Sequence, residues 1–468
     1  MFISRTDELD ALNRLYSSGK FQMAVVYGRR RVGKTTLISE FVKDKPAIFF
    51  AAQEANKHLN LRLFSEDVYK FFGLPKGAGA FRDWHDAFSF IAERAGESRF
   101  ILVLDEFPYL AAADRSIKSV IQNAIDYGLK DTGIFLILCG SQISFMEKQV
   151  LGYKSPLFGR RTAQFRIDSF DYYDAAKMLG DASNEDKIKY YACVGGTPHY
   201  LAQINHSLTF GENISELYFK PYGYLFGEPV MLLQQELREP AMYNSVISAV
   251  ATGASRLNDI ATKINEDTSK TGKYVKTLTD MRILRKSAPF GENQERSRKT
   301  LYGIYDNCYR FWYKYVFLNR AAVETGSGGI VAESMVFPEL STYIGKPVFE
   351  DVCRQYIIRK NRERALPFLA TNFGSWWGAD KRERTPSDID AVADNRTLGD
   401  ILMCECKWRN EATDAGELRR LLDKARFLPG YERYHFMFFS KSPYTRAARK
   451  LEEENDNLRL ITLDMLFD

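Results

Sequence analysis

Cysteine, histidine and long apolar runs are all scarce in this sequence of 468 residues. Its six cysteines are scattered and lie mostly in apolar stretches, which is typical of reduced, buried thiols rather than of a disulfide framework. Cys404 and Cys406 form a C-x-C instead of a C-x-x-C, and the five histidines are dispersed, so no structural zinc site is visible. No apolar run approaches the roughly 20 residues that span a bilayer, and the first residues lack an apolar signal core. These absences predict a cytoplasmic protein with no membrane partner.

A strong excess of either charge is also missing. The net charge is +5, which permits a nucleic-acid partner without implying one, because clustering matters more than the total. Hydrophobic residues make up 45% and charged residues 27%, the mixture of an ordinary globular protein without long disorder. At roughly 100–200 residues per domain, the length predicts about three domains.

Short apolar stretches alternate with helical stretches in the first third of the chain. The strand-like stretches are residues 21–27, 46–52, 99–107, 133–141 and 162–168. Strands that alternate with helices favour a parallel sheet with helices on its faces. The sequence therefore predicts an α/β fold for this region.

The turn after the first predicted strand carries a complete phosphate-binding motif. Residues 28–35, GRRRVGKT, match G-x-x-x-x-G-K-[ST] in full and stand between a strand and a helix. The two glycines allow a tight turn that points amide N–H groups at phosphates, and the helix N-terminus favours the same anion. Lys34 is expected to reach the β- and γ-phosphates and Thr35 to hold Mg²⁺. The residues predicted to contact ATP are Gly28, Arg29, Val32, Gly33, Lys34, Thr35 and Thr36.

The third predicted strand ends in two carboxylates, Asp105 and Glu106. Beside a phosphate-binding loop, Asp105 is expected to order Mg²⁺ through water. Glu106 is placed to polarise the attacking water as a general base. The alternative is a strand followed by a solvated acidic turn.

Two further polar positions follow in the same region. Ser141, after the fourth predicted strand, is a candidate sensor of the γ-phosphate or the attacking water, or simply the start of a turn. Arg160 is a candidate for neutralising charge in the transition state, within its own chain or across a subunit contact. Its alternative is a solvated basic turn.

Residues outside the loop carry a family resemblance. Residues 2–8, FISRTDE, resemble the box near the adenine in STAND-type ATPases of the AAA+ class, although Ser4 and Thr6 replace its Gly and Glu. The segment 195–198, GGTP, resembles the G-x-P motif of the helical lid in that class. The resemblance implies that Arg5 and Pro198 lie at the nucleotide, and it allows a homo-oligomer. The whole order of segments resembles an archaeal and bacterial ATPase family with a C-terminal nuclease-like domain.

The middle of the chain is predicted to form a winged helix, with three helices and a hairpin between residues 236 and 323. The third predicted helix carries Lys270, Lys273 and Lys276 on one face, which suits contact with DNA phosphates. Further basic residues lie in the predicted hairpin. In the alternative, the winged helix packs on the nucleotide domain and reports its state, as it does in STAND-type ATPases.

Carboxylates and a lysine line up in the last third of the chain. Glu350 lies in a predicted helix, Asp390 in a strand-like run, and Glu405 and Lys407 two residues apart in the next strand. Strand side chains alternate, so Glu405 and Lys407 face the same side. The carboxylates are predicted to bind Mg²⁺ and Lys407 to orient or deprotonate water. This order resembles the PD-(D/E)XK nuclease core, with the proline displaced to Pro386.

Four domains are therefore predicted, with a Gly/Ser-rich linker at 324–330. They are a P-loop ATPase core (1–170), a helical lid (171–235), a winged helix (236–323) and an α/β PD-(D/E)XK nuclease-like domain (331–468). We predict a switch that binds and hydrolyses ATP with Mg²⁺ and acts on double-stranded DNA. The alternative is a non-cleaving regulatory or signalling ATPase whose C-terminal domain only binds DNA or a protein partner.

Overall fold

A parallel sheet with helices on both faces organises the N-terminal part of the protein. The computed structural model describes residues 2–75, 79–96, 98–380 and 382–468. It divides into two compact units, Met1–Ser169 and Phe170–Asp468, which we call the first and second units.

Within the described residues, the sheet of the first unit has the strand order β2-β3-β4-β1-β5, and all its pairs are parallel. The strands are β1 (Gln22–Tyr27), β2 (Ala47–Ala51), β3 (Ile101–Asp105), β4 (Phe135–Gly140) and β5 (Ala163–Arg166). Met23 and Val25 belong to one apolar cluster, whereas Ala24 and Val26 belong to another. A sheet that is buried on both faces needs nearly continuous apolar strands. For this reason these strands could be predicted from the sequence. The predicted α/β class and parallel sheet are confirmed.

Helices connect these strands and cover the sheet. They are α1 (Thr6–Ser17), α2 (Lys34–Val42), α3 (Lys57–Phe71), α4 (Trp84–Ala95), α5 (Phe107–Ala113), α6 (Ile117–Tyr127) and α7 (Ile143–Phe145). The loop between β1 and α2 and the turn between β3 and α5 both lie at the carboxyl edge of the sheet, because neighbouring strands run in the same direction.

The second unit begins with helices. They are α8 (Tyr172–Ala176), α9 (Asn184–Val194), α10 (Pro198–Leu201), α11 (Phe210–Tyr218), α12 (Glu228–Glu236), α13 (Pro240–Ala251), α14 (Leu257–Ile264) and α15 (Thr268–Asp280). An antiparallel hairpin follows, formed by β6 (Leu284–Ser287) and β7 (Leu301–Ile304). We call residues 284–304 the wing. The succession α13, α14, α15 and wing is the order of elements expected of a winged helix.

An aromatic helical segment follows the wing. Its helices are α16 (Asn307–Phe311), α17 (Arg320–Glu324), α18 (Gly328–Val331), α19 (Phe337–Tyr343) and α20 (Phe349–Arg362). Phe311 and Trp312 are fully buried, and the Trp312 indole N–H donates to the carbonyl of Phe226 at 2.8 Å. These aromatic side chains therefore belong to the core of the second unit.

The predicted linker at 324–330 is not an extended connection. Residue 324 ends α17, and α18 begins at Gly328. A Cβ added to Gly328 would lie 2.1 Å from the carbonyl oxygen of Phe219. The glycines here permit a tight turn between two helices and close packing of backbones.

A mixed sheet forms the C-terminal part of the second unit. Its strands are β8 (Asn372–Asp380), β9 (Thr385–Asn395), β10 (Asp400–Lys407), β11 (Arg433–Ser440) and β12 (Leu458–Thr462), with helices α21 (Ala415–Asp423) and α22 (Arg446–Glu453). The order is β12-β11-β10-β9-β8; β9 is antiparallel to β8 and β10, and the others pair in parallel. The predicted α/β character of this segment is confirmed. Across the described part of the chain, no helix is long and apolar enough to cross a membrane.

Candidate functional site

The loop between β1 and α2 has the steric requirements of a P-loop. A Cβ on Gly28 would lie 2.1 Å from the carbonyl oxygen of Ile167, so a larger residue does not fit. Gly33 precedes α2 with φ +92°, a conformation that favours glycine. Both glycines of the motif are therefore required by the backbone, and the loop leads into a helix N-terminus that favours an anion.

Side chains of the loop are held by specific bonds. The Lys34 ammonium donates to the carbonyl of Arg29 at 2.9 Å, and both residues are buried. Val32 is also buried, whereas Thr35 and Thr36 are exposed at the start of α2. The Thr35 hydroxyl donates to Asp105 Oδ2 at 2.9 Å. This contact joins the two groups that the sequence predicts as Mg²⁺ ligands.

The turn after β3 holds Glu106 in a strained position. Its φ is +50°, which is uncommon for a residue with a side chain. Its backbone N–H donates to Asp105 Oδ1 at 2.8 Å, and its Oε2 accepts from the Ser141 hydroxyl at 3.0 Å. Ser141 is buried immediately after β4, which pairs with β3. The structure thus joins Asp105, Glu106 and Ser141 at one edge of the sheet.

Arg5 connects the N-terminal segment to the same loop. Its guanidinium donates to the carbonyl of Val32 at 3.4 Å and to that of Asp168, and it pairs with Glu8 at 3.4 Å. Arg5 therefore lies beside the P-loop, as the resemblance implies. Its contact with a nucleotide stays a prediction.

Arg160 lies at the opposite edge of the sheet. The N–H of Thr162 donates to the carbonyl of Met23, and the Arg160 guanidinium donates to Asp126 at 2.9 and 2.6 Å. The P-loop follows the other end of β1, roughly 16 Å away at about 3.3 Å per residue. The structure does not bring Arg160 to the P-loop of its own unit. A role across a subunit contact stays a prediction.

Arg166 is an arginine near the loop that the sequence did not single out. It ends β5 opposite Tyr27, the residue before Gly28. Its guanidinium pairs with Glu147 at 3.1 Å and with Asp168 at 3.4 Å. Its position follows from the pairing of β5 with β1, which the amino-acid pattern does not reveal.

Pro198 belongs to the second unit, where it begins α10. The glycines before it have a structural role, because a Cβ on Gly196 would lie 1.9 Å from the carbonyl oxygen of Phe170. The predicted contact between Pro198 and the adenine stays a prediction.

The second site lies on β9, β10 and α20. In the antiparallel pair, Cys404 is opposite Ala391, which places Asp390 beside Glu405. Asp390 Oδ2 accepts from the backbone N–H of Cys406 at 2.8 Å. The predicted neighbourhood of Asp390 and Glu405 follows directly from this register.

Lysines neutralise the carboxylates of this site. Lys407 donates to Glu405 Oε1 at 2.8 Å, and Lys424 donates to Glu405 Oε2 at 2.5 Å. Lys346 lies 3.5 Å from Glu350 Oε1 and donates to Asp388 at 2.7 Å. Lys424 and Lys346 were missed in the sequence. They come from distant segments, and a lone lysine carries no signal of its partner.

The pKa shifts at this site indicate electrostatic repulsion between its carboxylates. Burial, together with the charges of Glu405 and Glu350, raises the pKa of Asp390. Burial also raises the pKa of Glu350, against the effect of Lys346. Burial by itself would lower the pKa of Lys407, but the adjacent Glu405 outweighs it and the pKa is raised. A charged Lys407 is thus stabilised as the partner of Glu405.

The donor set suits a divalent cation by its chemistry. Asp390, Glu405 and Glu350 offer the oxygen ligands that Mg²⁺ prefers, and their mutual repulsion would be relieved by a cation. Over residues 2–75, 79–96, 98–380 and 382–468, however, no group of three Asp, Glu, His or Cys side chains is arranged to hold a metal. At this site, each oxygen of Glu405 contacts a lysine.

The regions that contain these two sites are similar to known proteins. A profile for an ATPase domain found predominantly in Archaea matches residues 2–204. A profile for archaeal and bacterial proteins of unknown function matches residues 312–418, and a restriction-endonuclease profile matches residues 371–468. A protein of Methanocaldococcus jannaschii is 30% identical over 469 residues, which cover 99% of each chain. The chain belongs to this family of ATPases with a nuclease-like C-terminal domain.

Two further similarities concern parts of this family's architecture. An ATP-binding protein of the same organism is 47% identical over 45 residues, which are 10% of this chain and 76% of that protein. A solved structure, the Walker-type ATPase of Pyrococcus abyssi, is similar with a TM-score of 0.52 and 17% identity. The match covers 67% of this chain and 96% of that one. At this identity it establishes a shared fold.

Proposed function

We propose that the protein is an ATP-hydrolysing switch whose nuclease-like domain cleaves DNA with the help of Mg²⁺. The observation that carries the proposal is the juxtaposition of Asp390, Glu405 and Lys407 on paired strands, in a chain that also has a P-loop. The family profiles for an ATPase and a restriction endonuclease support the two activities.

In the first unit, the roles follow from the bonds around the P-loop. Lys34 and the loop amides bind the phosphates, and Thr35 and Asp105 would hold Mg²⁺. Glu106 orients and deprotonates water, and the Ser141 hydroxyl fixes the Glu106 carboxylate at 3.0 Å. Mg²⁺, when bound, offsets the charge of the phosphates.

In the second unit, Asp390, Glu405 and Glu350 would hold Mg²⁺. Lys407 is the group that orients water at the scissile phosphate, since its ammonium lies at the carboxylates on the same face of β10. Binding a cation at Glu405 requires its carboxylate to release at least one of its two lysines.

The ATPase role is tested with Glu106→Gln in the full chain. ATP binding should persist, and hydrolysis should fall about 100-fold or more because the general base is lost. Glu93→Gln, on an exposed position of α4, is the matched control and should behave as wild type. Full turnover by Glu106→Gln would exclude the general-base role.

The nuclease role is tested on plasmid DNA with Mg²⁺ or Mn²⁺. Lys407→Ala and Asp390→Ala should abolish cleavage, whereas Lys450→Ala, whose side chain is exposed on α22, should not. Cleavage that survives both substitutions would assign the activity to another site or to a contaminant.

A second candidate function is a regulatory ATPase whose C-terminal domain binds DNA without cutting it. The lysine contacts on both oxygens of Glu405 favour it, because they compete with a metal ion. Absence of cleavage with every divalent cation tried, together with retained DNA binding, would establish this alternative.

A further inference from the structure

The wing makes a hydrogen bond and an ion pair with the segments that form the nuclease-like site of the same unit. The backbone N–H of Phe290, in the wing, donates to the carbonyl of Ser375 on β8 at 2.8 Å. Arg285 on β6 pairs with Asp351, the neighbour of Glu350 on α20. The hairpin that usually extends freely from a winged helix is therefore part of the wall around the carboxylates.

Two cavities follow the wing toward the carboxylates. One, of about 440 Å³, has Glu350, Asp390 and Trp377 on one side and Lys286 and Tyr302 of the wing on the other. The second, of about 360 Å³, is also lined by Lys286 and Tyr302. These two residues line both cavities, and we call the two cavities together the wing groove.

Cations without acidic partners mark the outer part of the wing groove. Arg256, Lys286 and Arg298 are exposed, and within the described residues their side chains make no ion pair. Glu295 is the carboxylate that lines the same cavity. By contrast, Arg285 nearer the carboxylates is paired with Asp351. The available positive charge thus lies where a polyanion would enter.

Aromatic side chains lie further along the wing groove. Tyr302 and Trp377 are half-buried in its wall, and Phe373 is 37% exposed there. Cations beside aromatic faces are the combination that binds unpaired nucleic acid, because phosphates contact the cations and bases stack on the rings. Bases within a duplex are stacked on each other and reach such rings only when flipped out.

We propose that the wing groove binds an unpaired nucleic-acid strand, with Lys286 contacting a phosphate and Tyr302 stacking on a base, and leads it to Glu350 and Asp390. The wing is then the substrate-binding element of the nuclease-like domain, and α15 is not the main contact. This proposal rests on the proposed function. It differs from the expectation of double-stranded DNA, because the strand that reaches the site is unpaired.

Binding is measured by fluorescence anisotropy with a labelled single strand, full-length protein and EDTA, so that no cleavage occurs. Lys286→Ala should weaken binding about tenfold, as expected for a charged contact. It should also reduce the slope of log affinity against log salt by about 0.7, the value for one phosphate of a single strand. Tyr302→Leu should weaken binding about 5-fold to 100-fold, with little change in that slope.

Two substitutions accompany these variants. Lys450→Ala, an exposed lysine on α22, is the matched control and should leave affinity and salt slope unchanged. Lys276→Ala on α15 tests the rival interface. The proposal is overturned if Lys276→Ala weakens binding and Lys286→Ala does not, or if a duplex of the same sequence binds more tightly than the single strand.

A second measurement does not depend on the folding of a variant. A strand that carries 5-iodouracil is photo-crosslinked to the wild-type protein, and the attached residues are mapped by mass spectrometry. Crosslinks at Tyr302 or Trp377 support the proposal, and crosslinks confined to α15 overturn it. If the wing variants weaken binding but the wild type never cleaves, the nuclease proposal fails and the wing groove stands. If the wild type cleaves DNA but Lys286→Ala binds the single strand with unaltered affinity, the nuclease proposal stands and the proposal for the wing groove fails.

Discussion

Asp351 is expected to be costly to replace by a neutral residue, because its charge is buried among arginines of the second unit. Its buried carboxylate pairs with Arg285 of the wing, Arg354 of its own helix and, at 3.5 Å, Arg310 of α16. Arg310 is itself buried, and burial lowers its pKa, so it relies on this carboxylate. Asp351→Asn keeps the shape and removes the charge, which leaves guanidinium groups uncompensated. Breaking a buried ion pair in this way costs about 3–5 kcal/mol.

Urea unfolding followed by tryptophan fluorescence suits this test. Apart from Trp84, the tryptophans of the chain lie in the second unit, so the signal reports mainly that unit. With a slope of about 3 kcal/mol per molar urea, the midpoint should fall by about 1–2 M. Asp456→Asn, at an exposed position, should change stability by less than about 0.5 kcal/mol.

The pH dependence of the stability difference gives an independent test. Burial would raise the pKa of Asp351, but Arg285, Arg354 and Arg310 outweigh it and hold the pKa below its ordinary value. A carboxyl group whose pKa is lowered in the folded state stabilises the fold at pH values above its unfolded pKa of about 3.9. This contribution is lost as the pH falls through the folded-state pKa. The difference between wild type and Asp351→Asn should therefore narrow in acid. A difference below about 1 kcal/mol at neutral pH, or one that widens in acid, would refute the reasoning.

Three further predictions concern other sites. Gly28→Ala should abolish ATP binding measured by calorimetry, because its Cβ would lie 2.1 Å from the carbonyl oxygen of Ile167; unchanged affinity would contradict the close approach. Ser141→Ala should leave ATP affinity unchanged and lower kcat about tenfold, since one hydrogen bond that positions Glu106 is lost; a change in affinity alone would contradict a positioning role. Asn213→Leu should destabilise the second unit by about 2–3 kcal/mol in urea, because the buried amide bonds several backbone groups; a loss below about 0.5 kcal/mol would contradict this.

Local sequence patterns were sufficient to predict the helices and strands, and to predict which side chains meet on strands that follow one another along the chain. The strands of the first sheet were readable because both faces are buried, and Asp390 could be placed beside Glu405 because β9 and β10 follow one another along the chain. The Gly/Ser-rich stretch at 324–330, predicted as a linker, is a short turn between α17 and α18. Its Gly328 lies against the carbonyl of Phe219, a close approach that composition does not reveal.

Residues that meet through distant pairing could not be found in this way. Arg160 was a candidate for neutralising charge, and the pairing of β5 with β1 places Arg166 near the P-loop of the same unit and Arg160 at the other edge. Lys424 reaches Glu405 from a separate helix, and its contact depends on how that helix packs on the sheet.

The amino-acid sequence alone was enough to predict the P-loop and the order of strands and helices, and to single out the acidic residues and lysine of the second candidate site. These depend on motifs and periodicities within short stretches of chain. Only the tertiary structure decided which arginine lies at the loop, which lysines contact the carboxylates, and that the wing lines the cavity beside Asp390. Contacts of this kind depend on strand register and helix packing, which are set by the burial of the whole unit rather than by any local pattern.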